Sequence, residues 1–282
     1  MNDEKPYAAA VSAHYGRPHL QEEILQALEQ AGRSLSSYRD TMSFDQFHIR
    51  GAEATRELAR LSGIAKGQAL LDLGCGIGGA SRLLAAEFGC HATGIDLMTE
   101  FIQTATALTT QVGLSDSVVF QQADMLSLPF AEHTFDVAWS QHTLMNIADK
   151  SRLLAQVRRV LKPGGLLVLY EIAQGPVTPV HYPVQWASDP SINFLLPATA
   201  LVHLITAAGF DRLHWQDMTE ACLQWFQAVV AKMKTRVQGA APPIGLNLVI
   251  GPTTAEKARN TVRNLAEDRI HVFYGVFKKA GA

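Results

Sequence analysis

Apolar positions along this chain follow two rhythms that take turns. Short apolar runs near 69–73, 91–95, 117–122, 135–139, 166–171, 211–216 and 271–278 have the length and character of strands. Between several of them, near 79–88, 99–112, 149–161 and 198–208, apolar residues recur at helical spacing. This alternation predicts an α/β fold, a mainly parallel sheet with crossover helices on both faces. Ligands on such sheets sit outside the carboxyl ends of the strands, where the strand order reverses.

Three segments lie outside the alternation. Residues 1–50 read as an N-terminal cap or lid. Leu20, Ile24, Leu25 and Leu28 keep helical spacing before Gly32 and a serine-rich break, and Tyr38 to His48 carries Met42, Phe44 and Phe47 without a clear period. A helix over 52–61, stopped by Gly63, opens the main domain of residues 51–282. Inside that domain, residues 175–197 are proline-rich, hold His181, Tyr182 and Trp186, and read as a lid loop. Residues 218–265 carry two helical patterns joined by Ala240-Ala241-Pro242-Pro243-Ile244-Gly245, an expected helical insertion before the last strand.

Composition narrows the partners. Of the 282 residues 48% are apolar, enough for a substantial core, and the formal net charge is −2. With no long basic run, neither a nucleic-acid groove nor an anionic membrane patch is expected. No apolar run is long enough to span a bilayer. The start lacks the basic and apolar regions of a secretory leader, so a cytoplasmic location is expected. Cys75, Cys90 and Cys222 are far apart and odd in number, which argues against a metal site or disulfide framework and fits a reducing compartment.

The chemistry concentrates at Leu70-Leu71-Asp72-Leu73-Gly74-Cys75-Gly76-Ile77-Gly78-Gly79. Here an apolar run breaks into four glycines within six residues and feeds a helix. Bare backbone N–H groups at such a turn can approach a ligand closely. Alone, Gly74-x-Gly76-x-x-Gly79 is a weak nucleotide fingerprint. Asp96 ends the second strand, where a carboxylate can accept from two adjacent ribose hydroxyls. The third strand ends in Ala123-Asp124-Met125, so that a carboxylate can read an adenine amino group while Met125 packs on the ring.

With Leu128-Pro129-Phe130, Asn146-x-x-Asp149-Lys150 and Leu161-Lys162-Pro163-Gly164-Gly165 following in order, residues 50–215 resemble the class I S-adenosylmethionine-dependent methyltransferases. More narrowly, they resemble the group of ubiquinone/menaquinone C-methyltransferases and sarcosine-type N-methyltransferases. The resemblance implies a Rossmann-like, seven-stranded sheet whose last strand runs antiparallel, with S-adenosyl-L-methionine as cofactor. It implies that Gly74, Gly76 and Gly78 face the methionine moiety and that Asp96 holds the ribose. Leu97 would then pack on adenine, Ala123, Asp124 and Met125 line its edge, and Gln141 lies beside the methionyl end. The quinone enzymes lack His142 and the 218–265 insertion.

Methyl transfer is an in-line displacement at an activated carbon, so the protein mainly aligns the acceptor and excludes water. A base helps only where the acceptor must lose a proton. His142, directly after the fourth strand, is the first candidate for base or orienting group, with Glu171 and His48 behind it. The expected partner is a small-molecule methyl acceptor, with a homo-oligomer left open. The rival functions are a nicotinamide-dependent oxidoreductase and a non-catalytic cofactor-binding module.

Overall fold

A computed structural model describes residues 4–234 and 244–281. The chain begins with α1 (Glu4–Tyr15) and α2 (Leu20–Gln30), and α3 (Gly51–Ser62) leads into the sheet. There follow β1 (Ala69–Leu73), α4 (Gly79–Phe88), β2 (His91–Asp96), α5 (Thr99–Gln111), β3 (Val118–Gln122) and β4 (Phe135–Gln141). Then come α6 (Lys150–Val160), β5 (Leu161–Gln174), α7 (Ala198–Ala207) and β6 (Phe210–Asp217). The chain closes with α8 (Thr219–Lys234), α9 (Asn247–Ile250), α10 (Thr254–Ala266) and β7 (Ile270–Lys279).

The seven strands lie in the order β3-β2-β1-β4-β5-β7-β6. The first five are parallel, and β7 runs antiparallel between β5 and β6. Because alternate strand residues face opposite ways, Val168 and Tyr170 pack with Leu58, Leu84 and Phe226 on one face. Leu167 and Leu169 pack with Leu153, Val157 and Leu201 on the other. The order reverses between β1 and β4, and their carboxyl ends open the crevice where a ligand belongs.

Two boundaries differ from the sequence reading. β5 starts at Leu161 rather than 166, with a register shift opposite Phe135 and Val137 that absorbs Pro163 and the two glycines. It also runs on to Gln174, so Glu171 lies within the strand rather than at its end. The helical insertion between β6 and β7 is α8 to α10; of its linker, Ala240-Ala241-Pro242-Pro243 lies outside the described residues. Among the described residues, no helix is long and apolar enough to cross a membrane.

The N-terminal segment lies over the carboxyl ends of the strands. Leu20, Ile24, Leu28 and Phe44 form a third apolar cluster with Ile77, Met98 and Phe101 of the main domain. The Tyr15 hydroxyl donates to Asn146 Oδ1 at 2.9 Å, and Asn146 Nδ2 donates to the carbonyls of Trp186 and Ile192 at 2.8 Å each. His14 Nε2 meets the Gln185 carbonyl at 2.9 Å. His181 Nε2 pairs with Glu267 Oε2 of the α10–β7 turn at 2.9 Å. Cap, proline-rich loop and helical insertion are therefore one connected surface.

A fully buried ion pair joins cap to sheet: Arg82 Nη2 of α4 to Asp45 Oδ2 at 2.9 Å. The residue boundary at 50 thus cuts off a group to which the core is bonded. Removing one partner of a buried pair leaves an unmatched charge, a loss of about 3–5 kcal/mol. Asp45→Ala is expected to lower the unfolding free energy by that amount in urea denaturation, and Asp45→Asn, which keeps an acceptor for Arg82 without the charge, to lower it less. No loss in Asp45→Ala would show that packing alone holds the cap.

Candidate active site

After Leu73 the chain must turn out of the sheet and start α4, and Gly74, Gly76 and Gly78 all take positive φ to do so. A Cβ on Gly76 would stand 2.9 Å from the Phe47 ring, so the bare backbone there is a steric requirement. The N–H groups of Gly74 and Cys75 both donate to the Ile95 carbonyl at 2.9 Å. That of Gly76 donates to Asp96 Oδ2 at 3.0 Å, while Met98 N–H donates to Oδ1 at 3.0 Å. Asp96 is thereby fixed at the crevice with lone pairs to spare. Burial pushes its carboxyl up, while the Met98 and Gly76 N–H groups pull it down.

The adenine side is more open. Ala123 N–H donates to the Asp96 carbonyl at 3.1 Å, and Leu97 is half-buried against the core. Asp124 is exposed and one of its oxygens accepts from Leu126 N–H at 2.8 Å, leaving the other free of any such bond. Met125 is buried with Leu128 and Phe135, so packing occupies it in this structure.

At the end of β4 two side chains stand out. Gln141 Oε1 accepts from Trp139 Nε1 at 3.0 Å and from Thr55 Oγ1 at 3.2 Å. An indole is a donor only, so this contact orients the amide and leaves Gln141 Nε2 buried with no hydrogen-bonding partner. His142 is held at φ 51, with its N–H donating to the Tyr170 carbonyl at 2.7 Å. A non-glycine residue in that region costs on the order of 1–3 kcal/mol and points to a constrained position. Its Nε2 is also buried and unpartnered, and its ring lies 4.5 Å from the Tyr170 ring.

His48 comes from the cap to meet them, its ring 6.2 Å from that of His142. Its Nε2 lies 2.9 Å from the Gly51 carbonyl, which can only accept, so that nitrogen carries the proton and Nδ1 is left bare. Burial pushes His48 down to about 4. His142 is pushed well below the usual range, first by burial and then by His48. Both imidazoles are neutral at physiological pH.

Glu171, the second base candidate, is engaged elsewhere. Its carboxylate accepts from Ser140 Oγ at 2.6 Å and from the N–H groups of Thr143 and Leu144 at 3.1 Å each. These bonds hold the end of β4 and the loop after it, which carries His142. Tyr170, Phe47, Gln46 and the Arg82–Asp45 pair complete the neighbourhood. Of these only Phe47 stood out in the sequence, since a tyrosine inside an apolar run or an arginine on a helix carries no local signal.

Burial pushes Glu171 up to about 7, against its three hydrogen-bond donors. A carboxyl raised in the folded state stabilises the fold below its unfolded value, and that contribution is lost as pH climbs through the folded one. Stability is therefore expected to fall between about pH 4.5 and 7, by on the order of 3 kcal/mol from this group. Glu171→Gln should flatten the curve of unfolding free energy over that window. A wild-type curve already as flat as the variant's would mean the carboxylate is ionised throughout.

Residues 71–169 match the model of a methyltransferase domain. The chain is 33% identical over 174 residues to phosphoethanolamine N-methyltransferase 1 of Arabidopsis thaliana, covering 62% of this chain and 35% of that one. It spans about a third of the length of the plant relatives it matches. With methyltransferase GfsG of Streptomyces halstedii it shares 28% identity over 204 residues, 70% of this chain and 72% of that one. The fold superposes on Haemonchus contortus phosphoethanolamine N-methyltransferase 2, solved with phosphomonomethylethanolamine and S-adenosylhomocysteine. That match has a TM-score of 0.70 and 20% identity, covering 97% of this chain and 60% of the other. Residues 71–169 thus carry a methyltransferase domain, and in fold and in the order of its motifs the chain is similar to S-adenosylmethionine-dependent methyltransferases.

Proposed function

We propose that this chain transfers the methyl group of S-adenosyl-L-methionine to a small organic acceptor, a carbon, nitrogen or oxygen nucleophile. The bond from carbon to sulfur breaks as the bond from carbon to acceptor forms, releasing the thioether. The observation that carries this reading is the pair of buried, unpartnered nitrogens, Gln141 Nε2 and His142 Nε2, at the strand end beside the glycine turn. A buried polar group without a partner costs about 1–3 kcal/mol, which a ligand in the crevice would recover. Neither a nicotinamide-dependent reading nor a purely structural one gives that pair a use.

The residues present suit the cofactor. Asp96 has oxygens available for the ribose hydroxyls, Gln141 Nε2 for an anionic methionyl end, and the backbone of Gly74 to Gly78 for close approach. The cofactor supplies a methyl group that its sulfonium already activates. What remains for the chain is alignment and exclusion of water. The cap, the 175–197 loop and the helical insertion would form the lid, since they are bonded to one another over the crevice. Three free, buried cysteines support a reducing, cytoplasmic setting, and the net charge of −2 supports a small molecule rather than nucleic acid as substrate.

For His142 the environment favours orientation over proton abstraction. A general base works best with a pKa near the operating pH, whereas this imidazole is held well below the usual range. The acid limb near pH 6.5 that an ordinary histidine would give is therefore not expected.

Asp96→Ala should fold and bind S-adenosylmethionine about tenfold to a hundredfold more weakly, a loss of roughly 1.5–3 kcal/mol for charge-assisted hydrogen bonds. Calorimetric titration with unchanged affinity would remove the ribose role.

His142→Ala should lower kcat with little change in cofactor affinity, and His142→Gln should retain much of the rate, since an amide can orient but cannot take the proton. The wild-type rate should show no histidine limb near pH 6.5. A limb near pH 6.5 that vanishes in His142→Gln would restore the general base.

A further inference from the structure

A cleft of about 600 Å³ runs along α6 from Ser151 to Arg159 and against the last turn of α7, and its end at Glu132, His133 and Lys279 lies at the amino ends of the strands. Its volume is that of a small-molecule site. The distance of that end from the crevice follows from the strand: His133 precedes β4 and Gln141 ends it, eight residues on, roughly 25 Å at the rise of a strand.

Its polar wall is cationic. Lys279 is only 7% exposed, and its Nζ donates to the Leu161 carbonyl at 2.6 Å and lies 3.3 Å from His133 Nδ1. Arg158 stands beside it. Among the described residues no hydrogen bond or ion pair engages its guanidinium, whereas the neighbouring Arg159 donates to the carbonyls of Phe130 and Leu128. Gly209, at φ +86, lets Arg158 lie on the backbone: a Cβ there would stand 2.7 Å from Arg158 Nε. The one acidic residue in the lining is Glu132. Burial and then the Arg158 charge hold the Lys279 ammonium below its ordinary range, with the Glu132 carboxylate a smaller, opposing influence. Apolar lining comes from Leu204 and Ala207 of α7 and from Ala155, one turn before Arg158 on α6, with Ser151 beyond it.

We propose that this cleft binds a phosphate ester, with the phosphate on Arg158, Lys279 and His133 and the organic part on Ala155, Leu204 and Ala207. Arginine suits the phosphate because its planar fork can meet two oxygens at once. The apolar lining gives an organic group a place that a bare ion would leave exposed. The site is separate from the methyl-transfer crevice and stands whether or not that activity is found.

The test is calorimetric titration of the full chain with inorganic phosphate, phenyl phosphate and phenol. Phenyl phosphate should bind most tightly and phenol not measurably, and added salt should weaken both anions. Arg158→Ala, a change at a half-exposed position, should weaken phenyl phosphate about tenfold to a hundredfold, with partial rescue in Arg158→Lys. Asp96→Ala should leave this binding unchanged, which separates the cleft from the cofactor crevice. Absence of phenyl phosphate binding, indifference to Arg158→Ala, or equal affinity for phenol would overturn the proposal. Equal affinity for inorganic phosphate would overturn the assignment to an ester.

Discussion

The buried guanidinium of Arg82 is the group on which the arrangement of this molecule turns. It donates to Asp45 of the cap, to the Ile77 carbonyl inside the glycine turn, and to the Ala105 carbonyl and Thr109 hydroxyl of α5. A buried charge needs hydrogen-bonding partners; both Nη atoms find them, only Nε is left without one, and one side chain ties four separate segments to one geometry. The turn keeps its shape because its carbonyl is bonded from within the core. The cap keeps its place because Asp45 is the counter-charge. Residues 45–48 are then carried across the crevice, with Phe47 on Gly76 and His48 beside Gln141 and His142.

Charge in the crevice is held low by the same burial. Two imidazoles are pushed to the neutral form, and Glu171 and Asp72 are both pushed up to about 7. The Asp72 carboxylate accepts from Ser81 Oγ at 2.5 Å, tying β1 to α4 below the turn. A sulfonium cofactor is itself a cation, and an environment of neutral donors and partly protonated carboxyls neither repels it nor holds it too firmly. Such a site favours displacement by position, which agrees with the depressed imidazoles.

Much of this was legible in the chain before any coordinates. Strand and helix positions followed from local periodicity, because β1 to β4 and α4 to α7 each bury a face whose spacing is written in consecutive residues. The glycine turn and Asp96 were legible because backbone conformation and strand-end position restrict residue type strongly. The start of β5 was misread, since Lys162-Pro163-Gly164-Gly165 has the composition of a turn and only its neighbours pull it into the sheet. The bonding of Glu171 was hidden for a related reason. A carboxylate near a crevice has the composition of a base, and only the three donors brought by the β4 loop, distant in sequence, show that it is engaged. Arg82 left no sign at all, being one polar residue in an amphipathic helix. Long-range polar contacts are what a one-dimensional pattern does not carry.

This division also locates where the acceptor is chosen. The cofactor side consists of backbone and strand-end groups fixed by the sheet. On the proposed reading the acceptor side would be assembled from His48 of the cap, His142 of the β4 loop and Tyr170 of β5, whose rings meet within 4.5 to 6.2 Å of one another. Tyr170 is in turn braced by Cys222 of α8, its hydroxyl 3.1 Å from Sγ, and by the Tyr274 ring at 4.9 Å. A change in the helical insertion therefore reaches the acceptor wall through Tyr170 without touching the cofactor groups. The sheet can keep one chemistry while cap and insertion vary the substrate, because the two sides of the crevice rest on different parts of the chain.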